Sequence, residues 1–168
     1  MPTVEPEVLM EGNHTFARCE AVMGPTLQMV FAALAVQRVT LEGMLLQTAM
    51  VLPGRDSPRP ADPAALADAT LRGLRHSGPP AVPGIVFLSG GQSDVAATER
   101  LNAICAAGGA PWRLTFSYGR ALQDAALKTW AGSPANVAAA QSALLHRARC
   151  HSLAVQGNYS AAEENASA

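Results

Sequence analysis

The chain has very little lysine, few charged residues and few aromatic residues. Lys128 is the only lysine among 168 residues, 15% of the residues are charged and 5% are aromatic. The net charge of −1 provides no basic stripe for nucleic acid and no polybasic patch for a membrane surface. We therefore expect a protein that binds neither nucleic acid nor membranes.

Cysteine is scarce as well, and no segment has the pattern of a leader or a membrane span. Cys19, Cys105 and Cys150 are odd in number and widely spaced, which argues against a disulfide framework and against close-set thiol ligands for a metal. The most apolar window, 22–36, is short and interrupted, and the first residues show no basic region followed by a hydrophobic one. We predict a cytoplasmic protein with free, mostly buried thiols, no metal and no other cofactor.

The sequence does contain one repeated unit, a short β-rich run followed by a turn and a longer helical pattern. The predicted strands are 3–9, 38–46, 84–91 and 112–119, and the predicted helices are 15–36, 61–76, 93–107, 120–130 and 134–155. This alternation predicts an α/β fold in which helices cover a parallel sheet, and four such units make a (βα)4 half barrel. We assign residues 1–158 to this unit and 159–168 to a flexible tail, and we expect Pro25 to kink or split the first helix.

Two carboxylates follow the start of the first predicted strand. Glu5 and Glu7 are two residues apart, so on a strand they point to the same face. Carboxylates that converge on one pocket can divide into an acid and a base, because repulsion and burial raise the pKa of one of them. Solvated side chains, or partners for arginines, are the other interpretation that the spacing allows.

Polar residues that suit an anion follow the third and fourth predicted strands. The third strand ends in "FLSGGQS", where a Gly-Gly turn leads into a helix and presents bare backbone N–H groups. The fourth ends in "SYGR", which offers a hydroxyl, a close backbone approach at Gly119 and the guanidinium of Arg120. A plain tight connection also explains each motif alone, but the carboxyl ends of adjacent parallel strands lie at one edge. Together the two motifs favour a phosphorylated ligand.

Several motifs carry a resemblance to a known family. "VEPEVL", "RVTLEGMLLQTAMVLPG", "PPAVPGIVFLSGGQS", "LNAI" and "PWRLTFSYGRALQDAALKTWAG" resemble, in order and spacing, the second half of class I fructose-1,6-bisphosphate aldolase. The resemblance implies a TIM barrel that cleaves fructose 1,6-bisphosphate to dihydroxyacetone phosphate and glyceraldehyde 3-phosphate without a metal. It also implies acid/base positions at Glu5 and Glu7, and phosphate-binding positions at Ser89, Gly90, Gly91, Ser117, Gly119 and Arg120.

One position departs from the family in a way that matters for catalysis. The family reads Leu-Leu-Lys-Pro-Asn-Met where this chain reads "LLQTAM", so Gln47 stands at the position of the Schiff-base lysine. The lone pair of a carboxamide nitrogen is delocalised, and such a group cannot condense with a carbonyl. Lys128 lies on a predicted helix away from the strand ends and offers no substitute. We therefore predict that aldolase activity is lost.

Three interpretations of the function remain open. The chain could act as an aldolase only within a larger assembly, it could be a silent relative that binds sugar phosphates or partners, or it could be a truncated fragment. The sequence begins just before the strand that bears Glu5, so the first half of the barrel is expected to be absent. Two open sheet edges, and inward-facing side chains such as Leu45, Val86, Leu88 and Leu114, then predict self-association.

Overall fold

The sheet has four parallel strands in the order in which they occur along the chain. A computed structural model describes residues 1–59 and 61–165. The strands are β1 Thr3–Val4, β2 Leu45–Thr48, β3 Gly84–Phe87 and β4 Arg113–Phe116, and they pair in the order β1-β2-β3-β4. The sheet is not closed, so β1 and β4 are its edges. The predicted α/β half barrel of four parallel strands is confirmed.

Within residues 1–59 and 61–165, five α-helices and three short 3-10 helices connect and cover the strands. The α-helices are α1 Phe16–Val36, α2 Pro63–Ser77, α3 Asp94–Ala107, α4 Arg120–Trp130 and α5 Val137–Val155, and the 3-10 helices are Leu41–Gly43, Pro134–Asn136 and Ala161–Asn165. Three α-helices begin at a side-chain cap, because Thr15, Asp62 and Ser93 each accept a hydrogen bond from the backbone N–H three residues later. Such caps satisfy N–H groups that have no partner in the first helical turn.

The strand register decides which side chains face the helices. Leu46 pairs with Ile85 and Ile85 with Leu114, while Phe87 pairs with Thr48 and Phe116. Ile85 and Phe87 are almost fully buried among the residues of the helices. Since alternate residues of a strand point to opposite faces, the other face of the sheet carries Gln47, Val86 and Thr115.

This register corrects the set of inward-facing side chains expected from the sequence. Leu114 shares its face with Ile85 and packs on the helical core, so it does not point inward. Val86 and Leu88 are only 9% and 7% exposed, so they are not the wetted residues that the half-barrel prediction requires. Leu45 is half-buried, and the exposed apolar area on this face is smaller than expected.

All four predicted strands are longer than the observed strands, and the predicted break of the first helix at Pro25 is wrong. Residues 38–44 form a turn and a 3-10 helix, and β2 begins only at Leu45 and contains Gln47. The helix α1 runs without a break from Phe16 to Val36 through Pro25. Its buried stripe continues on both sides of the proline, and this burial offsets the lost hydrogen bond; the stripe consists of Cys19, Met23, Leu27 and Phe31.

The unbroken helix is longer than the apolar window 22–36 that the sequence suggested. With 21 residues and a mean hydropathy of 1.5 in its most apolar window, α1 is long and apolar enough to cross a membrane by length and composition. In this structure α1 contacts α2, and 22% of that window is buried.

Residues 159–165 differ from the flexible tail expected from residue 159 onward. Tyr159 is 7% exposed, and its backbone N–H donates to the side chain of Asn102 on α3. Its hydroxyl donates to Glu164 at 2.5 Å, and the buried Arg147 of α5 also contacts Glu164. These contacts attach the segment to the helices, and the rest of the predicted tail, 166–168, lies outside the described residues.

Candidate functional site

The side chains of Gln47 and Glu5 meet at the carboxyl end of β2. Gln47 is half-buried on the inner face, and its Nε2 donates a hydrogen bond to Oε1 of Glu5 at 2.5 Å. Glu5 directly follows β1, which pairs with β2. The amide of Gln47 therefore lies directly beside the carboxylate of Glu5.

Glu7 follows Glu5 by two residues and lies outside any strand. The strand β1 ends at Val4, yet the alternation continues beyond it, because Glu5 and Glu7 are exposed while Pro6 and Val8 are half-buried. The two carboxylates are thus on one side of the chain, as the two-residue spacing predicts. Both face open space instead of an enclosed pocket.

The Gly-Gly turn after β3 has a backbone conformation that suits an anion. Gly90 and Gly91 have φ angles of 54° and 74°, a left-handed conformation that glycine adopts without strain. The turn leads into the first turn of α3, whose cap is Ser93. Ser89, at 7% exposure, anchors the turn through its carbonyl, which accepts a hydrogen bond from the N–H of Gln92 at 3.0 Å.

Two arginines converge on this turn. A Cβ built on Gly91 would lie 2.6 Å from one terminal nitrogen of Arg55 and 3.8 Å from one terminal nitrogen of Arg120. Arg120 begins α4, and Arg55 lies in the loop after β2. Like charges that meet beside exposed backbone N–H groups create a positive potential, which an anion neutralises. The structure thus brings Gly90, Gly91 and Arg120 together as the sequence predicts.

The other two predicted phosphate positions have different surroundings. Ser117 is exposed directly after β4, and its N–H donates to the carbonyl of Phe87 at 2.8 Å, which fixes the ends of β3 and β4 side by side. Gly119 precedes α4, and a Cβ at this position would meet nothing within 4 Å. The space beside Gly119 is therefore open to a ligand.

Sequence reasoning missed Arg55 and a cleft beside it. The cleft has a volume of about 260 Å³ and is lined by Arg55, Arg59, Arg100 and the Gly-Gly turn, with no carboxylate among its lining residues. Arg100 Nη1 donates to Gln92 Oε1 at 2.7 Å, and burial lowers the pKa of its guanidinium. An arginine in the loop after β2 could have been predicted to lie near the Gly-Gly turn, because the carboxyl ends of parallel strands share one edge of the sheet.

A buried aromatic cluster lies at the end of β4, just before α4 begins at Arg120. Tyr118 is 5% exposed and its hydroxyl donates to the carbonyl of Ala97 at 3.1 Å, so burial raises its pKa. The ring of Tyr118 packs edge-on against His151, and Phe116 packs against both. Burial, followed by the charge of Arg147, lowers the pKa of His151 to about 4. The cluster therefore stays uncharged at neutral pH and packs as part of the core.

Comparison with known proteins decides the family. A sequence model described as fructose-bisphosphate aldolase class-I matches residues 1–168. The chain belongs to the class-I fructose-bisphosphate aldolase family. Among its relatives, fructose-bisphosphate aldolase 1, chloroplastic, of Chlamydomonas reinhardtii is 51% identical over 164 residues, which are 98% of this chain and 43% of that protein. Fructose-bisphosphate aldolase 2 of Caenorhabditis elegans is 51% identical over 160 residues, 95% of this chain and 44% of the relative.

A solved structure supports the same conclusion for the fold. It contains fructose-bisphosphate aldolase from Plasmodium falciparum in a complex with TRAP and a small-molecule inhibitor. One chain of that structure superposes on this chain with a TM-score of 0.92 and 48% identity, over 95% of this chain and 46% of the chain in the solved structure. The expected membership in the TIM-barrel family is confirmed, and this chain spans a little under half the length of its relatives. Relatives are named chloroplastic as well as cytosolic, so the cytoplasmic location stays a prediction.

Proposed function

We propose that this chain binds the phosphate group of a sugar phosphate at the aldolase-type edge of its sheet and does not form a Schiff base there. The observation that carries the proposal is the convergence of Arg120 and Arg55 on the left-handed turn at Gly90 and Gly91. Backbone N–H groups and guanidinium donors are the two groups that proteins most often direct at phosphate oxygens.

The loss of Schiff-base chemistry follows from the side chain at position 47. By its resemblance to the family, Gln47 stands where a lysine would attack the ketose carbonyl, and a carboxamide is not a nucleophile. Its Nε2 is already used in a hydrogen bond to Glu5. That bond also orients the exposed carboxylate at the family's acid/base position, which has no amine beside it to act on.

The lone lysine of the chain does not replace the missing amine. Lys128 is exposed on the last turn of α4, whereas Gln47 is on the inner face of β2 at the strand end. An amine on a covering helix cannot reach a carbonyl held at the inner face of the sheet. The proposed activity is therefore recognition of a phosphorylated ligand, with cleavage of fructose 1,6-bisphosphate lost.

Titration calorimetry with inorganic phosphate and with dihydroxyacetone phosphate tests the binding. We expect millimolar dissociation constants, equivalent to about 4 kcal/mol, for both ligands. The change Arg120→Ala should weaken the binding strongly, because it removes one of the two guanidinium groups that face the turn. The matched control is Arg113→Ala, which removes an exposed guanidinium at the opposite, amino-terminal end of β4 and should leave the titration unchanged.

Two outcomes would contradict the proposal. Equal binding by the Arg120→Ala and Arg113→Ala proteins would mean that the turn at Gly90 and Gly91 is not the phosphate site. Release of triose phosphate from fructose 1,6-bisphosphate in a coupled assay, by protein freed of other aldolases, would mean that a nucleophile other than residue 47 supports cleavage.

A further inference from the structure

A histidine and a cysteine of α5 meet a glutamate of the C-terminal 3-10 helix. His146 and Cys150 are four residues apart on this helix, and Glu164 reaches them from the 3-10 helix Ala161–Asn165. Residues four apart lie on the same face of an α-helix, one turn from each other. The candidate ligand atoms of the three residues all lie within 4.8 Å of one another.

The spacing of the first two ligands agrees with tetrahedral zinc. Zinc binds a cysteine sulfur at about 2.3 Å and a histidine nitrogen at about 2.0–2.1 Å, so two such ligands in a tetrahedron are about 3.6 Å apart. The observed distance from His146 Nε2 to Cys150 Sγ is 3.7 Å. Glu164 completes a set of three once its carboxylate oxygen moves inward by about 1 Å, which leaves a fourth position for water.

The neighbours of Glu164 hold its carboxylate beside the pair. One oxygen accepts a hydrogen bond from the hydroxyl of Tyr159 at 2.5 Å, and the other contacts the guanidinium of Arg147. Each oxygen has a further lone pair for a metal. The carboxylate of Asp94 lies 4.0 Å from the buried guanidinium of Arg147, which also contacts Glu164. The positive charge of Arg147 is therefore balanced by Asp94 when Glu164 binds a cation. Partners of this kind orient a ligand and raise its affinity for metal.

The donor set determines the class of ion. A thiolate and an imidazole select zinc and similar borderline-soft divalent ions, whereas magnesium and calcium require oxygen ligands. We propose that His146, Cys150 and Glu164 form a zinc-type site that clips the segment Ala161–Asn165 onto α5. Binding converts the Cys150 thiol to a thiolate and releases its proton to the solvent, so the affinity should rise with pH.

Titration of the full chain with Co²⁺ under reducing, oxygen-free conditions, after removal of metals with a chelator, tests the site. One equivalent of Co²⁺ should produce the near-ultraviolet absorption of a thiolate–cobalt bond, and Zn²⁺ should displace it. The band should be absent from the Cys150→Ser protein. His146→Gln, at a half-buried position, should weaken binding at least about 10-fold, because the loss of a ligand costs no less than the loss of its supporting partner.

The other thiols are the matched controls. Cys105 is half-buried on α3 and Cys19 is buried on α1, and neither belongs to such a ligand group among residues 1–59 and 61–165. Cys105→Ser and Cys19→Ser should keep the band and its stoichiometry. The proposal would be overturned if the wild-type chain showed no band. It would also be overturned if Cys105→Ser removed the band and Cys150→Ser did not.

A second measurement covers the case in which the Cys150→Ser protein folds poorly. Zn²⁺ at a stoichiometric ratio should raise the midpoint of thermal unfolding of the wild-type chain, since an ion that binds only the folded state stabilises it. The increase should be lost in His146→Gln, which leaves the buried thiol in place. The same increase in both proteins would contradict the assignment of His146 as a ligand.

Discussion

Replacing Gly54 with alanine tests how the loop that carries Arg55 is held. Gly54 is buried, and its N–H donates to the carbonyl of His14 at 2.9 Å. A Cβ at this position would lie 2.3 Å from the carbonyl oxygen of Gly12 and 2.9 Å from its carbonyl carbon. Both are backbone atoms that cannot rotate away, so the loop after β1 and the loop after β2 must separate by about 1 Å to reach normal contact.

The expected cost follows from that separation. Overpacking of this kind typically destabilises a protein by about 1–3 kcal/mol, and for a chain of this size each kcal/mol lowers the unfolding midpoint by about 2–4 °C. We therefore expect Gly54→Ala to unfold about 2–12 °C below wild type in a thermal scan followed by circular dichroism.

Gly43→Ala is the matched control for this prediction. Gly43 lies in the 3-10 helix Leu41–Gly43, where an added Cβ would meet nothing within 4 Å. Its unfolding midpoint should stay close to that of wild type. Equal midpoints for the two alanine variants would refute the close packing of the two loops, and with it the placement of Arg55 beside the Gly-Gly turn.

Two further predictions concern the thiols and the surface. Burial raises the pKa of Cys105 to about 11, so its alkylation by iodoacetamide should be slow at pH 8 and should accelerate as the pH approaches 11; fast reaction at pH 8, measured by peptide mass spectrometry, would contradict this burial. The sheet has open edges, and Leu127, Trp130, Val137 and Leu144 form an exposed apolar groove on α4 and α5. Sedimentation velocity at low micromolar concentration should therefore show self-association, and a single 17.4 kDa species would refute this prediction.

The alternation of strand and helix patterns was sufficient to predict the order of elements and the parallel sheet. It failed where tertiary packing overrides a local signal. Pro25 does not break α1, because the stripe on both sides of it is buried. The inward direction of Leu114 was wrong because a one-residue error in register moves a side chain to the other face. Only the pairing with Ile85 settles this direction.

The candidate site was predictable to the extent that it lies on strand ends. Arg120 and the turn at Gly90 and Gly91 come together because adjacent parallel strands deliver them to one edge. The position of Arg55 depends on the path of an irregular loop, which hydrophobic periodicity does not encode. The group of His146, Cys150 and Glu164 was missed for a related reason. Its third member comes from a segment predicted as a tail, and counting cysteines alone did not include the histidine one turn away.

Reduction with borohydride in the presence of dihydroxyacetone phosphate tests the central claim most directly. The measurement uses a ligand concentration at which calorimetry shows that the phosphate site is occupied, followed by intact-mass and peptide mass spectrometry. Because Gln47 offers no amine at the strand end, the mass of the chain should not change. A reduced triose phosphate adduct on any internal residue would contradict the claim that this chain binds the phosphate without Schiff-base chemistry.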